Sequence, residues 1–293
     1  MKIEDLGEEE GLDDYTKPSK TLLVDADTIV FAAASTSEYA DDLLPRDMYS
    51  DDEWGELIEA PGYDEEGECI WEVNLDEAMN KIEEKLLRIK GETNTKDIEL
   101  YFTEGRNFRY DVEPMYKANR KKIRYPQGLG VLKRMCLERY KGEICIAYEA
   151  DDKVVMLKRT QPEKYVLCAV DKDVYKSLPG KHFNYYESSK YGIDMKWVET
   201  ESKDAHQFPY IQTLMGDSTD NIKGCPGIGP KKAEKALNAL VTPCDMWREV
   251  VRLFKSKKLT IKDAIRDMRL VNMHQLDTDG KTINLWNPPC EAE

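Results

Sequence analysis

Carboxylate side chains close one apolar run after another in this sequence. The runs are "TLLV", "DIELYFT", "EICIAY" and "YVLCAV", and the acids that follow them are Asp25, Asp27, Glu104, Glu149, Asp151, Asp152, Asp171 and Asp173. A single acid in such a position is commonly a helix cap, because its oxygen accepts a backbone N–H of the first helical turn. Capping does not use three acids in four residues, so the clusters "EADD" and "DKD" indicate chemistry.

The elements that position these acids follow from the spacing of the apolar residues. Residues 21–25, 97–104, 143–150 and 164–170 form short apolar runs typical of buried strands, and apolar residues between 74 and 90 recur with a helical period. Strands separated by helices predict an α/β fold, a parallel sheet with helices on both faces. Because the carboxyl ends of parallel strands share one edge, where ligands bind, we expect the acids to meet in one pocket.

A pocket that gathers many carboxylates requires a cation, since like charges in one cleft repel and raise each other's pKa. All the candidate ligands are oxygen atoms, a set that favours Mg²⁺ or Mn²⁺ over zinc. The seven cysteines form no CxxC pair and the three histidines are distant from them. Neither a disulfide framework nor a zinc site is therefore predicted.

The charge distribution allows a nucleic-acid partner despite a formal net charge of -14. Residues 1–14 contain seven acids and one Lys, and residues 41–72 contain thirteen acids and one Arg, which leaves 37 acids and 41 bases elsewhere. Nine of these bases lie between Arg106 and Arg134, against two acids. Such a patch can follow a phosphate backbone, although a solvated helix face is the ordinary reading of a charge run.

The sequence has no apolar run near the roughly 18 residues that a membrane helix needs. Its first residues, "MKIEDLGEEEGLDD", lack the basic and then apolar build of a signal peptide. We therefore expect a cytoplasmic protein with no membrane partner.

Three readings of the acids remain at this point. Helix capping is one, and a phosphohydrolase of the haloacid dehalogenase type is another, because "VDAD" and "MGDSTDN" superficially supply its Asp-x-Asp and its downstream acidic loop. There the first Asp would attack phosphorus and the second would handle the proton. The third is a metal-dependent nuclease.

Four sequence blocks favour the third reading: "LLVDAD", "EPMYKANRKK", "YEADD" with "VDKD", and "MGDSTDNIKGCPGIGPKKA". From about Thr21 to the C-terminus the chain resembles the stand-alone bacteriophage 5′→3′ exonucleases, relatives of flap endonucleases and of the 5′-nuclease domain of bacterial DNA polymerase I. The resemblance implies a PIN-like, flap-endonuclease-like core that uses two Mg²⁺ or Mn²⁺ ions. The metal ligands that it implies are Asp25, Glu104, Glu149, Asp151, Asp152, Asp171, Asp173, Asp217 and Asp220. The family usually has Asp where this chain has Glu104, which leaves open whether Glu104 and Asp27 bind metal directly.

The basic block belongs, in that family, to an arch over the active site. In a helix, Lys117 and Arg120 would lie one turn apart with Lys121 and Arg124 beside them, and this face could grip the scissile phosphate. The resemblance makes Lys117 and Arg120 catalytic residues, and Tyr116 could stack on a base near the cut. The alternative is an ordinary cationic helix on the protein surface with no role in DNA binding.

The glycine-rich block resembles the family's helix-hairpin-helix. Gly224, Gly227 and Gly229 permit close backbone approach, so that N–H groups there, with Lys231 and Lys232, would meet a DNA phosphate whatever its sequence. Family members often hold K⁺ in this loop. A glycine hairpin alone is also a plain turn between helices.

These observations together predict a division of the chain. Residues 1–20 would be an acidic arm, 21–195 the nuclease core with an acidic insertion at 41–72 and an arch-like segment at 105–128, and 196–293 a helical DNA-binding region. The predicted protein is a phage replication enzyme, a monomer that hydrolyses phosphodiesters at the 5′ end or flap of DNA, with RNA·DNA hybrids as second substrates. A pure DNA-binding module explains the hairpin but not the acids, which repel DNA unless metal lies between them.

Overall fold

The computed structural model describes residues 20–39, 50, 52, 71–122 and 124–292. The predictions of an acidic arm at 1–20 and of an acidic insertion at 41–72 therefore lie almost entirely outside the described residues.

The central element is a six-stranded sheet with the strand order β5-β4-β1-β6-β7-β8. The strands are β1 Thr21–Asp25, β2 Glu38–Tyr39, β3 Glu72–Val73, β4 Ile98–Asn107, β5 Lys141–Ala147, β6 Tyr165–Cys168, β7 Gly180–Asn184 and β8 Lys196–Thr200, of which β2 and β3 form a separate antiparallel pair. Within the sheet only β8 runs antiparallel, against β7. The predicted parallel sheet is thus confirmed, and it ends at Thr200, beyond the predicted boundary at 195.

The helices cover both faces of the sheet, as predicted. They are α1 Asp27–Ser35, α2 Leu75–Thr93, α3 Arg109–Val112, α4 Leu129–Arg139, α5 Ala150–Thr160, α6 Lys172–Lys176, α7 Ser202–Met215, α8 Pro230–Leu237, α9 Pro243–Ser256 and α10 Ile261–Val271. Because side chains alternate along a strand, Leu22 and Val24 of β1 pack with α1 and α2, whereas Leu23 packs against α5 on the other face. β1 therefore has no polar face, which explains its continuous apolar run.

Helices α7 to α10 form a third core around Trp247, Phe254 and Met268. The chain then returns to the sheet, where Leu276 and Ile283 pack with the residues of α5. This return joins the helical region to the α/β core. No helix within the described ranges is both long enough and apolar enough to cross a membrane.

One sequence-based expectation about the fold is wrong. The structure joins Cys244 and Cys290 in a disulfide, although the cysteine pattern predicted none. The two residues are 46 apart in sequence and meet because Trp286 packs on Trp247, with ring centroids 4.9 Å apart. Their spacing resembles no disulfide motif, so only the tertiary contact reveals the pair.

Candidate active site

Three predicted ligands meet at the carboxyl edge of the sheet. Asp25 ends β1, Asp151 lies in the first turn of α5, and Asp171 follows β6. Burial together with repulsion from Asp27 raises the pKa of Asp25 to about 7, and Asp151 and Asp171 also interact with Asp25 electrostatically. Burial and the charges of Asp25 and Asp171 raise the pKa of Asp151 well above its usual range. The predicted convergence is therefore present for these three acids.

Two further acids extend this group toward the helical region. Asp173 is buried, and burial with repulsion from Asp171 and Asp217 raises its pKa to about 7. Asp217 follows α7, and its Oδ1 accepts the N–H of Thr219 at 2.7 Å. Because the charge of Asp217 helps to raise the pKa of Asp173, the site includes both the edge of the sheet and the start of the hairpin.

The polar atoms of this edge fit a hard cation. Oδ1 of Asp151 and Oδ1 of Asp173 are buried and have no hydrogen-bond partner, an arrangement that costs free energy unless something binds them. Oxygen ligands alone are available, which suits Mg²⁺ or Mn²⁺. As the side chains stand, no three Asp, Glu, His or Cys residues in the described ranges have the geometry to hold a metal ion by themselves. Since each Mg²⁺ keeps several waters and uses one or two protein carboxylates, a loose arrangement is compatible with this metal.

Glu149 is the most heavily contacted carboxylate of the site. Its Oε1 accepts hydrogen bonds from Lys117 Nζ at 2.6 Å and from Asn107 Nδ2 at 2.8 Å, and the hydroxyl of Tyr116 lies 3.3 Å from both oxygens. Burial alone would raise the pKa of Glu149, but the charges of Lys117 and Arg109 outweigh it and lower the pKa. Glu149 is therefore a permanent anion at the N-terminus of α5.

Asp152 faces away from this group, although it was predicted as a ligand. Its two oxygens accept hydrogen bonds from Arg109, at 2.6 and 2.7 Å, and Oδ2 also accepts the N–H of Glu149 at 3.0 Å. Asp152 is completely buried and Arg109 is 2% exposed. With both oxygens engaged, the geometry favours a structural role for Asp152 and leaves its predicted metal contact without support.

Asp27 and Glu104 lie beside the site rather than in it. Asp27 contacts Lys133 Nζ at 2.7 Å through Oδ1 and accepts the N–H of Thr103 at 2.8 Å through Oδ2. Glu104 is exposed in an irregular part of β4, where the register with β5 shifts. Metal binding by Glu104 therefore stays a prediction, and Asp27 was not among the predicted ligands.

The segment predicted as an arch folds down onto the acids. The 3₁₀ helix Ala118–Lys122 replaces the predicted α-helix, and Lys117 precedes it with a left-handed φ of 55°. Arg120 forms an ion pair with Asp220, whose second oxygen accepts from the Tyr116 hydroxyl at 3.0 Å and lies 3.8 Å from Lys117 Nζ. Burial raises the pKa of Asp220 against the opposing effect of Lys117 and Arg120. Lys117 and Arg120 thus each pair with a predicted metal ligand, and their catalytic role stays a prediction.

Other residues of the basic block have different surroundings. Tyr116 is 2% exposed and packs with Ile222, Leu270 and Val271, so its ring offers no face to a base, in contrast to its predicted stacking role. The two terminal nitrogens of Arg124 donate to the two carboxylate oxygens of Glu38, at 2.9 and 2.6 Å, and Glu38 is not one of the predicted metal ligands. The side chain of Lys121 lies outside the described residues.

The glycine-rich block forms a tight turn between α7 and α8. A Cβ on Gly224 would lie 2.3 Å from the backbone nitrogen of Gly216, so this approach requires glycine. Gly227 and Gly229, in contrast, have open space around them, and Lys231 and Lys232 are exposed at the start of α8. Lys232 Nζ donates to the carbonyl of Gly227 at 2.9 Å. The open space around Gly227 and Gly229 leaves room for a phosphate beside the backbone of this turn.

Sequence reasoning missed the residues that support the acids. Arg109 and Asn107 hold Asp152 and Glu149, and the hydroxyl of Tyr185 donates to the carbonyl of Asp25 at 2.5 Å. Arg109 was visible only as one of many bases in its segment. Its burial among aromatic residues in "NFRY" was the available signal, and it does not by itself identify a partner 43 residues away.

The chain has relatives among known proteins by sequence and by fold. The sequence matches no model of an established protein family. It is 28% identical to the exodeoxyribonuclease of Enterobacteria phage T3 over 276 residues, which cover 88% of this chain and 77% of the relative. It is 27% identical to the flap endonuclease Xni of Shewanella baltica over 59% of this chain and 69% of the relative. It is also 28% identical to the thermostable DNA polymerase I of Thermus aquaticus over 68% of this chain, which spans only 24% of that polymerase.

Among solved structures, the zinc-bound 5′-exonuclease of bacteriophage T5 superposes with a TM-score of 0.53 at 18% identity, over 68% of this chain and 84% of the T5 protein. A complex of the T5 flap endonuclease with DNA and metal ions gives the same TM-score at 17% identity, over 69% and 85% of the two chains. At these identities the superpositions show a shared fold. By sequence this chain is thus similar to a phage exodeoxyribonuclease, a flap endonuclease and a bacterial DNA polymerase I, and it shares the fold of the T5 5′-exonuclease.

Proposed function

We propose that this protein is a metal-dependent 5′→3′ exonuclease and flap endonuclease that hydrolyses phosphodiesters of DNA. The observation that carries this function is the group formed by Asp25, Asp151 and Asp173 at the sheet edge. Two of these acids keep a buried oxygen without a hydrogen-bond partner, and Asp25 and Asp173 have pKa values raised to about 7. Buried carboxylates without partners destabilise the fold, and a bound cation would offset this cost by neutralising their charge.

The carboxylates would serve two ions along the edge. Asp25, Asp151 and Glu149 would hold one ion, and Asp171, Asp173, Asp217 and Asp220 the other, partly through water. When bound, two Mg²⁺ ions supply a nucleophilic water and stabilise the leaving oxygen of an in-line displacement. The raised pKa values of Asp25 and Asp173 mean that cation binding would release protons from the site, since ligands bind as anions.

The cations of the folded-down segment would act on the substrate. Lys117 pairs with Glu149 and Arg120 pairs with Asp220, so a phosphodiester entering there would replace these carboxylates as the partners of the two cations. An arginine offers two parallel N–H donors to a phosphate and a lysine one compact charge. Both would orient the scissile group and offset its charge.

The hairpin would hold the duplex beyond the cut. The open backbone around Gly227 and Gly229 and the exposed ammonium groups of Lys231 and Lys232 suit a phosphate contact that does not depend on sequence. We also propose a K⁺ ion at this turn, where it would replace Lys232 at the carbonyl of Gly227.

The finer assignments rest on the resemblance to phage enzymes. We propose Mg²⁺ as the working ion with Mn²⁺ as a substitute, RNA·DNA hybrids as second substrates, and a monomer that acts during phage DNA replication in the cytoplasm of the host cell.

The phosphohydrolase alternative requires a free acid two residues after Asp25. Asp27 occupies that position, and Lys133 and the N–H of Thr103 engage its two oxygens. This arrangement disfavours proton transfer by Asp27 and so favours the nuclease.

The test uses a 5′-labelled flap and a 3′-labelled duplex, each incubated with Mg²⁺ and with EDTA. Release of short flaps or 5′ mononucleotides with Mg²⁺ alone supports the proposal. Hydrolysis of p-nitrophenyl phosphate without cleavage of either DNA would instead identify the phosphohydrolase.

A further inference from the structure

Arg109 links the catalytic acids to the helical region through contacts that the proposed chemistry leaves unused. Its two terminal guanidinium nitrogens donate to the two oxygens of Asp152 at 2.6 and 2.7 Å, and its Nε donates to the carbonyl of Leu270 at 2.8 Å. Asp152 belongs to α5, whereas Leu270 lies in the last turn of α10. One buried side chain therefore fixes the distance between two helices of different regions.

The first end of this linkage reaches Glu149. Asp152 accepts the backbone N–H of Glu149 at 3.0 Å, and a terminal nitrogen of Arg109 lies 3.7 Å from Oε2 of Glu149. Glu149 in turn directly precedes the helix that carries Asp151. A displacement of Arg109 would therefore move the backbone that presents both acids.

The second end reaches the glycine hairpin. Asp267 lies on α10 one turn before Leu270, is 1% exposed, and accepts the backbone N–H of Gly224 at 3.1 Å. Gly224 packs against the backbone of Gly216 without room for a side chain. The position of α10 is thus tied to the turn that would hold the DNA phosphate.

We propose that Arg109 is a positioning residue that couples phosphate binding at the hairpin to the placement of the catalytic carboxylates. The linkage runs from Gly224 through Asp267 and Leu270 to Arg109, and then through Asp152 to Glu149. This inference rests on the proposed nuclease function. Every step of the linkage is a hydrogen bond or one turn of helix, and the side chains that form it are almost completely buried. A displacement of the hairpin would therefore displace Glu149 as well.

Lysine cannot replace the guanidinium in this role. An ammonium group lacks the planar fork that engages both oxygens of Asp152 while a third nitrogen reaches Leu270. Residues that orient metal ligands in this way commonly change metal affinity or activity by about 10- to 100-fold when they are replaced.

The test begins with the variants Arg109→Lys and Asp267→Asn and with three measurements on each: Mn²⁺ affinity without DNA by electron paramagnetic resonance, DNA affinity in EDTA, and the single-turnover rate of flap cleavage. We expect Arg109→Lys to weaken Mn²⁺ binding about tenfold while DNA affinity stays within about twofold. Asp267→Asn should leave Mn²⁺ binding without DNA unchanged and slow the single turnover about tenfold.

The double variant distinguishes a linkage from two separate structural effects. If Arg109 and Asp267 act through one linkage, the double variant cleaves no more slowly than Arg109→Lys alone, because the coupling is already lost. The matched control is Arg88→Lys, which removes another bidentate pair, to Glu187, and should combine additively with Asp267→Asn. Additive effects of Arg109→Lys and Asp267→Asn, or unchanged Mn²⁺ affinity in Arg109→Lys, would overturn the proposal.

Two safeguards keep these outcomes interpretable. If Arg109→Lys does not fold, as judged by circular dichroism, Arg109→Gln takes its place, since Gln still offers a donor to the carbonyl of Leu270. If the wild-type protein cleaves no DNA, the proposed function fails, whereas the Mn²⁺ measurement still tests the catalytic end of the linkage.

Discussion

The ammonium group of Lys117 lies 2.6 Å from Oε1 of Glu149, the residue that precedes the helix carrying Asp151. Glu149 raises the pKa of Lys117 despite the opposing effect of burial, so the lysine is charged at neutral pH. A cation from the folded-down segment and an anion of the sheet edge therefore meet at the point where cleavage is proposed.

Replacement of Lys117 by alanine should slow flap cleavage by about 10²-fold or more, because one positioned charge on the phosphodiester is lost. The fold should persist, since Glu149 keeps Asn107 and Arg109 as partners. Single-turnover rates and thermal melts measure the two effects. Lys203→Ala, at an exposed lysine of α7 that contacts Asn238, is the control. A rate within threefold of the wild type would contradict the role of Lys117.

Asp151→Asn should abolish cleavage and keep much of the DNA binding, because the carboxylate is lost while the hairpin and the lysines remain. The same change should stabilise the protein in EDTA, since it removes a buried carboxyl group whose ionised form is disfavoured by burial and by the charges of Asp25 and Asp171. Flap cleavage, fluorescence anisotropy with labelled DNA and melting in EDTA test the three statements. Retained Mg²⁺-dependent cleavage would remove Asp151 from the ligand set.

The stability of the metal-free protein should depend on Asp173 between about pH 4 and pH 7. Burial raises the pKa of Asp173 from 3.8 to about 7, so the folded state binds more protons than the unfolded state in this range. The contribution is fully present below about pH 4 and is lost as the pH rises through 7. Denaturation in EDTA should therefore show Asp173→Asn gaining stability relative to the wild type, by about 4 kcal/mol between pH 4 and pH 8.

The comparison with Asp173→Asn isolates this group from other titrations. Glu149, for example, has a lowered pKa and contributes in the opposite sense. A difference between the two proteins that does not change with pH would show that Asp173 titrates as it does in water. Saturating Mg²⁺ should diminish the difference at pH 8, because cation binding favours the ionised carboxylate.

The hairpin glycines should separate folding from DNA binding. Gly224→Ala places a methyl group 2.3 Å from the nitrogen of Gly216 and should destabilise the protein by roughly 2 kcal/mol or more. Gly229 has an ordinary backbone conformation and open surroundings, so Gly229→Ala should leave the melting temperature within about 2 °C and weaken DNA binding several-fold. Equal melting temperatures for both variants would contradict the packing at Gly224.

Reduction of the Cys244–Cys290 disulfide should lower stability without abolishing cleavage. Closure of a loop of this length is worth about 3 to 4 kcal/mol in a chain-entropy estimate. The cysteines lie at the start of α9 and near the chain end, away from the carboxylates. Denaturation with and without dithiothreitol, alongside Cys290→Ser, provides the measurement. Identical curves for oxidised and reduced protein would argue against a structural disulfide.

The sequence by itself determined the sheet, the edge and the acids that meet there. Apolar runs of strand length separated by helical periods require this layering, and parallel strands deliver Asp25, Asp151 and Asp171 to one edge through rules that act within a few residues of each strand end. The tight hairpin was also readable, because only glycine allows the backbone approach at Gly224. The positions of the strands, of the acids at their ends and of the hairpin glycine all depend on residues that are close together in sequence.

Only the tertiary structure decided which polar groups take which partners. Asp151 and Asp152 are adjacent in sequence, yet one interacts with Asp25 and Asp171 and the other with a buried arginine 43 residues away. Tyr116 is buried for the same reason, since Ile222 and Leu270 close over it from distant parts of the chain. Partner choice depends on burial and on long-range packing, and no local spacing encodes it.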